Sequence, residues 1–356
     1  MPDVTGADTA SARSLTLAAY RRLSRRRAAL AVALALAAFG ALLLDIGSGS
    51  SDVTAASAFR ALVGWGEVPR SIEVIVWQVR LPMALMALLV GAALALAGAE
   101  MQTVLGNPLA EPFTLGVSAA AALGAALAIV LGVSAVGAPA EFAVPANAFL
   151  FALGSLLLLL LLSRVSGAGP DTLVLFGIAL GFAAQSLLAL VQFVATADSL
   201  QQLVFWSMGS LSRANMTTVG LLAAALALVA PFSFAAAWRL TALRLGDERA
   251  RSFGVDVARL RVMALARVSL LAAGAVAFVG VVGFVGLVGP HVARMLVGED
   301  HRYLLPASAL CGALAMSLAS ILSKMIVPGV ILPIGLVTAL VGLPVFVALI
   351  LRRGRR

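Results

Sequence analysis

The residues of this chain with chemistry to offer gather in one polar stretch, Leu245-Gly246-Asp247-Glu248-Arg249-Ala250-Arg251-Ser252-Phe253-Gly254-Val255-Asp256, followed by Arg259, Leu260 and Arg261. It is the longest charged interruption in an otherwise apolar sequence. The spacing predicts a short helix capped by Asp247 with Glu248 in its first turn, ended by Gly254 as a left-handed residue, and then a second turn capped by Asp256. Such a pair of helices offers fixed charges to a partner, the chemistry of docking rather than of bond breaking. A solvated loop between apolar segments would carry the same charge.

Other reactive groups are scarce. Cradling a nucleotide phosphate needs a lysine after a glycine loop, and the single lysine, Lys324 in Leu322-Ser323-Lys324-Met325, has no such loop before it. The chain therefore does not hydrolyse ATP by itself, and no catalytic residues are predicted. Glu100 is the one acidic residue clearly inside an apolar segment. It lies close to the segment's end, where a carboxylate can reach the interface; the rival role is that of a proton carrier, because ionisable groups at membrane depth are costly and usually functional. His291 and His301 are too few for a histidine-rich metal pathway, and Cys311 alone excludes an intrachain disulfide and a structural metal site of cysteines. No metal site is predicted.

These groups need elements to hold them, and composition says of what kind. With 62% hydrophobic and 12% charged residues among 356, the chain is a polytopic membrane protein rather than a soluble one. The net charge of +9 sits in short loops and tails, where it orients the chain in a bilayer, so a nucleic-acid partner is rejected. A span needs about 20 mainly apolar residues. That ruler places segments at about 28–44, 82–103, 113–133, 144–163, 172–195, 215–237, 262–282, 284–297, 305–323 and 334–351. The first is long for a signal-peptide core, and no small-residue cleavage site follows it. Arg21 to Arg27, Arg164, the arginines from Arg239 to Arg261, Arg302 and the tail from Arg352 fall on one side of this pattern, with Arg60, Arg70, Arg80, Arg213 and Lys324 on the other. Both termini are thereby assigned to the cytosol, with a basic arm at 1–27, a transmembrane domain at 28–351 whose cytosolic break lies at about 239–261, and a basic tail at 352–356.

About ten spans make two sets of five, and an odd number per set puts the halves in opposite orientation. Each half has one apolar segment interrupted by glycine and proline, Gly106-Asn107-Pro108-Leu109-Ala110-Glu111-Pro112 and Gly283-Phe284-Val285-Gly286-Leu287-Val288-Gly289-Pro290-His291. Broken helices at membrane depth are tolerated only where the backbone is covered or lines a cavity; ordinary loops between spans would read alike. Small residues such as Gly91, Gly98, Gly116 and Gly124 would let helices approach closely.

Ordered motifs along the chain carry a resemblance: Trp77-Gln78-Val79-Arg80-Leu81-Pro82, the Gly106 to Pro112 segment with Leu115-Gly116-Val117-Ser118, Leu245-Gly246-Asp247 with Ala250, Phe253 and Gly254, Gly283 to Arg294, Asp300-His301-Arg302, and Leu332-Pro333-Ile334-Gly335-Leu336. With them the chain resembles the permease subunits of the type II ABC importers for ferric siderophores, haem and vitamin B12, the FecCD type, from about Glu73 to Leu351. The resemblance implies an all-α fold of about ten transmembrane helices in two inverted halves, in a bacterial inner membrane. It implies as partners a second permease subunit, identical or closely related, two cytosolic ATPase subunits that hold ATP and Mg, and a periplasmic binding protein; no cofactor belongs to this chain. By the same resemblance Leu245, Gly246, Asp247, Glu248, Ala250, Phe253 and Gly254 form the segment that seats in the ATPase, and Arg80 and Lys324 meet acidic residues of the binding protein. The pathway follows the fifth and tenth helices, with Gln185 and Gln192 on one face of the fifth, and a cytosolic gate lies near Asn107, Pro108, Leu109, Pro170 and Asp171. Pro170 and Asp171 depart from the small hydroxyl residues expected there. His291 and His301 lie in segments shared across the family whatever the substrate and are not assigned as haem ligands. Pro328-Gly329-Val330-Ile331 before Leu332-Pro333 looks more like the ferric-siderophore branch than the haem or vitamin B12 branches, in which Ala-Glu usually precedes Leu-Pro. The rival from another class is a proton-coupled secondary transporter working through Glu100.

Overall fold

The computed structural model describes residues 6–49, 53–135, 137–166, 170–327 and 329–353, and among the described residues every regular element is helical. Helix α1 (Gly6–Gly47) carries the basic arm and the first apolar segment as one rod. Between the first two predicted spans, α2 (Ala55–Val63) is capped by the Thr54 hydroxyl, which accepts from Ser57 N, and is ended by Gly64 at φ 68°. Next, α3 (Arg70–Ile75) runs through a wide turn at Val76–Arg80 into α4 (Leu81–Val104), giving 35 unbroken helical residues from Arg70. There follow α5 (Val117–Leu131), α6 (Ala140–Ser166), α7 (Pro170–Phe193), α8 (Ala197–Ser207), α9 (Met216–Ala235), α10 (Ala237–Leu243), α11 (Asp247–Ser252), α12 (Val257–Val279), α13 (Val285–Val297), α14 (His301–Met325) and α15 (Ile334–Arg353). Among the described residues seven helices are long and apolar enough to cross a membrane; α5, α13 and the Ile334–Pro344 part of α15 are shorter apolar helices. Together they occupy the stretches predicted as spans.

The core is built on α4, α12 and α14. Their apolar windows are 78%, 72% and 61% buried, against 22% for α1 and α7. Helices α4 and α12, the second spans of the two halves, run antiparallel: Arg261 at the start of α12 reaches Val104 at the end of α4, and Arg267 reaches Glu100. That is the relation five crossings per half require. Each of these long helices is followed by a break and a short helix, and the two short helices start together, for Val117, Ser118 and Gly286 border one small cavity with Leu94 and Val276.

Close approach explains the small residues. A Cβ on Gly98 would run into the Gly286 carbonyl, and one on Gly91 into that of Gly312, so α4 packs backbone to backbone on α13 and α14. Backbone cannot yield as a flexible side chain can, so Gly98→Leu should exceed the ~1–3 kcal/mol usual for overpacking. The expected result is loss of monodisperse, detergent-soluble protein, whereas Gly220→Leu on α9, with open space at its Cβ, should leave the yield unchanged.

Candidate functional site

The polar stretch folds as predicted in its local features and differs in one. Gly254 ends α11 at φ 80°, its N–H donating to Arg251 O, and Asp256 caps α12 through Arg259 N at 3.0 Å. The N-cap of α11, however, is Gly246 at φ 101°, and Asp247 is the first helical residue. Its carboxylate does not cap: Arg261 Nη1 and Nη2 donate to its two oxygens at 2.9 and 2.8 Å. Planar guanidinium against carboxylate gives this fork its fixed geometry. On the outer side of the turn Leu245 and Phe253 are 52% and 56% exposed, among exposed Glu248, Arg249, Arg251 and Arg259, while Ala250 is buried beneath.

Three ties bind this unit to the bundle. Arg261 Nε, from the guanidinium that holds Asp247, donates to Val104 O at 3.1 Å, meeting a carbonyl that the end of α4 leaves unpaired. Arg244 pairs with Glu299, which also holds Arg294 at 3.2 Å. His301 lies between Thr103 of α4 and Thr241 of α10, with ring nitrogen to hydroxyl distances of 2.7 and 3.2 Å. Beside it, Asp300 caps α14, and the Arg302 hydrogen bond holds its carboxyl below the usual carboxylate range, with help from Arg27.

One turn inside the end of α4, Glu100 is 1% exposed and receives Arg267 Nε and Nη2 at 3.0 and 2.5 Å. The carboxylate expected to reach the interface is instead locked to a cation on α12. The same fork gives this carboxylate a structural task, tying α4 to α12. Sequence reading missed Arg267, although an arginine inside the predicted span 262–282 was the available signal.

Deeper still, the two broken segments predicted from glycine and proline meet. Phe284 N donates to Glu111 Oε1 at 3.4 Å, and Gln102 Nε2 donates to Gly286 O at 3.4 Å. Phe284 has φ 67°, a left-handed conformation costly for a bulky residue. Its ring meets Phe346 of α15 edge-on at 6.4 Å. Strain at this point is held between the first broken segment and the tenth span.

At the opposite end Arg80 and Lys324, expected to offer charge to a partner, are turned inward. They are 5% exposed each. Arg80 Nη1 donates to the carbonyls of Ile46, Gly47 and Val53 at 3.1 to 3.3 Å, and Lys324 Nζ donates to Asp45 Oδ1 at 2.6 Å. The end of α1, with Val53 beyond it, supplies acceptors to both cations. Asp45, one residue past the predicted first span, is wholly buried in α1.

The expected pathway residues lie apart from this network. Gln185 is exposed and Gln192 half-buried on α7. Asn107 Oδ1 accepts from Leu109 N at 2.9 Å, closing its turn on itself, with Pro108 half-buried and Leu109 exposed. Pro170 opens α7 and Asp171 is exposed in its first turn, while Gly169 lies outside the described residues.

A family model described as the FecCD transport family matches residues 34–352. The chain is 36% identical over 316 residues to the hemin transport system permease protein HmuU of Yersinia pestis, covering 88% of this chain and 93% of that one. It is 36% identical over 313 residues to the Fe(3+)-citrate import system permease protein YfmE of Bacillus subtilis, covering 88% and 92%. To the vitamin B12 import system permease protein BtuC of Salmonella paratyphi A it is 35% identical over 285 residues, covering 80% and 85%. Among solved structures it matches an inward-facing metal-chelate type ABC transporter with TM-score 0.79 and 32% identity, covering 91% of this chain and 99% of that one.

Proposed function

The chain belongs to the FecCD transport family, permeases of ABC importers for iron chelates, haem or vitamin B12, and we propose that this one moves a ferric siderophore from periplasm to cytosol. In this reading it sits in the bacterial inner membrane with both termini cytosolic, pairs with a second permease subunit, and takes its energy from two cytosolic ATPase subunits. A periplasmic binding protein delivers the chelate. The observation that carries the ATPase contact is the turn around α11. Leu245 and Phe253 are more than half exposed in the turn between α10 and α12, where the chain does not cover them. Exposed aromatic and aliphatic side chains ringed by charge suit a protein interface.

The chelate would pass along α7. Gln185 is exposed on a helix otherwise studded with Leu175, Ile178, Phe182 and Leu190, and an amide facing lipid lacks partners. A water-filled path between two permease subunits meets that need, and an uncharged amide can contact a chelate without trapping it. Ferric siderophore is favoured by Val330-Ile331 where the haem and vitamin B12 branches carry Ala-Glu.

Uptake by proteoliposomes containing the permease, its ATPase and its binding protein tests the reading. ATP inside the reconstituted system should drive accumulation of ferric siderophore in preference to haem and cobalamin, and a proton gradient without ATP should drive none. Preference for haem or cobalamin would sink the substrate assignment alone. Gradient-driven uptake, or conductance by the permease without partners, would sink the importer.

A further inference from the structure

We propose that His301 is a positioning residue that joins the ATPase-docking unit to α4, so that displacement of α10 and α11 is delivered to the helix running the full depth of the bundle. The proposal rests on the reading of α11 as the ATPase contact and adds the part that transmits the motion. His301 is wholly buried, and three elements meet on it. Its own backbone N–H, at the first turn of α14, donates to Thr241 Oγ1 at 3.0 Å; Nδ1 lies 3.2 Å from the same hydroxyl on α10, and Nε2 lies 2.7 Å from Thr103 Oγ1 on the last turn of α4.

The other two ties are weaker as transmitters. Arg244 and Glu299 are 37% and 47% exposed, and the Asp247 side chain 35%, so water screens both pairs. The histidine joint is dry and directional. Each threonine hydroxyl also lies within reach of a carbonyl one turn back in its own helix, Thr103 at 2.8 Å from Ala99 O and Thr241 at 2.9 Å from Ala237 O. A neutral imidazole has one N–H, for which the Glu299 backbone carbonyl and the two threonine hydroxyls are the acceptors, and its other nitrogen accepts from a threonine whose hydroxyl proton turns from its helix carbonyl to the ring. Separating α10 from α4 returns each hydroxyl to its own helix carbonyl and strips a threonine partner from the buried ring, and this penalty is what makes the two helices move together. Beyond the joint, α4 is continuous with α3 back to Arg70, so one rigid element spans from the coupling unit to the external end.

The test uses the complete transporter in proteoliposomes, with substrate moved per ATP hydrolysed as the readout. Thr241→Val and Thr103→Val keep side-chain volume and remove one partner each. Both should keep ATPase activity within about twofold and lower transport per ATP by about tenfold, inside the ~5–150-fold span of coupling between sites. Thr241→Ser should restore the ratio. A ratio that stays at the wild-type value in both valine variants overturns the proposal, and so does a parallel fall of ATPase, transport and thermal midpoint, which is the sign of a purely structural contact. Leu245→Asp with Phe253→Asp separates the two levels. If that variant still binds and is stimulated by the ATPase subunit, the α11 reading falls and the joint with it; if it loses the ATPase while Thr241→Val and Thr103→Val couple normally, the joint alone falls.

Discussion

Replacing Leu245 and Phe253 together with aspartate is expected to leave the permease folded in the membrane and to strip the ATPase subunit from it. Both side chains are more than half exposed, so the substitution removes little that the isolated chain uses; surface changes of this kind stay within about 0.5 kcal/mol of fold stability. Docking is a different matter. Fully burying an aliphatic or aromatic side chain is worth about 1.5–3 kcal/mol; roughly half of each side chain is still exposed, so two anchors supply about 1.5–3 kcal/mol, or one to two powers of ten in affinity at ~1.4 kcal/mol each. Two new carboxylates would be desolvated in the same contact, which adds to the loss. Titrating the purified ATPase subunit onto detergent-solubilised permease reads this directly. Gly254→Val gives a graded control: the Cβ would meet open space, so only the cost of a β-branched residue at φ 80° applies, about 1–3 kcal/mol. If the double aspartate variant binds the ATPase with unchanged affinity and imports at the wild-type rate, the contact lies elsewhere.

What the sequence reveals of this molecule divides by distance along the chain. Gly254 and Asp256 do what their types suggest because each acts within four residues of itself. The end of α4 is legible for the same reason, since Gly106, Asn107 and Pro108 stop an apolar run. Local signals fail where two of them compete. Asp247 has the chemistry of a cap, but Arg261 sits fourteen residues on, one helix start away, and claims its carboxylate, leaving the cap position to Gly246. The predicted start of the third span at 113 precedes the observed Val117 because Pro112–Leu115 is mainly apolar yet coiled as a short 3-10 turn; hydropathy registers its composition and not its backbone. Charges inside the bundle are least legible. Asp45 meets Lys324 across 279 residues and Arg267 meets Glu100 across 167, and nothing in either neighbourhood announces the partner. Asp45 sits at the margin of an apolar run, where a charge reads as a boundary marker, and Arg267 lies inside one.

The Glu100 to Arg267 pair yields the expectation that most sharply divides an ATP-driven permease from a proton-coupled carrier. Glu100→Gln and Arg267→Met, made singly, should each destabilise the chain by about 3–5 kcal/mol, because each leaves the other member buried without its counter-charge. With Glu100 1% and the Arg267 side chain 10% exposed, water is poorly placed to make good the loss. Removing both charges is a different perturbation: an apolar or neutral pair of similar volume is often neutral or stabilising relative to a buried ion pair. Glu100→Gln combined with Arg267→Met should therefore recover most of the folded yield lost by either single change, as measured by thermal unfolding in detergent. The recovered protein then answers the functional question, since it folds but has no carboxylate at this depth of α4. ATP-driven uptake that persists in it, insensitive to a protonophore, means that Glu100 serves to hold α4 against α12. A double variant that is folded, binds its ATPase and yet transports nothing would return the carboxylate to the transport step and overturn that assignment. Tolerance of either single change at wild-type stability would show that the pair is not closed in the membrane-embedded protein.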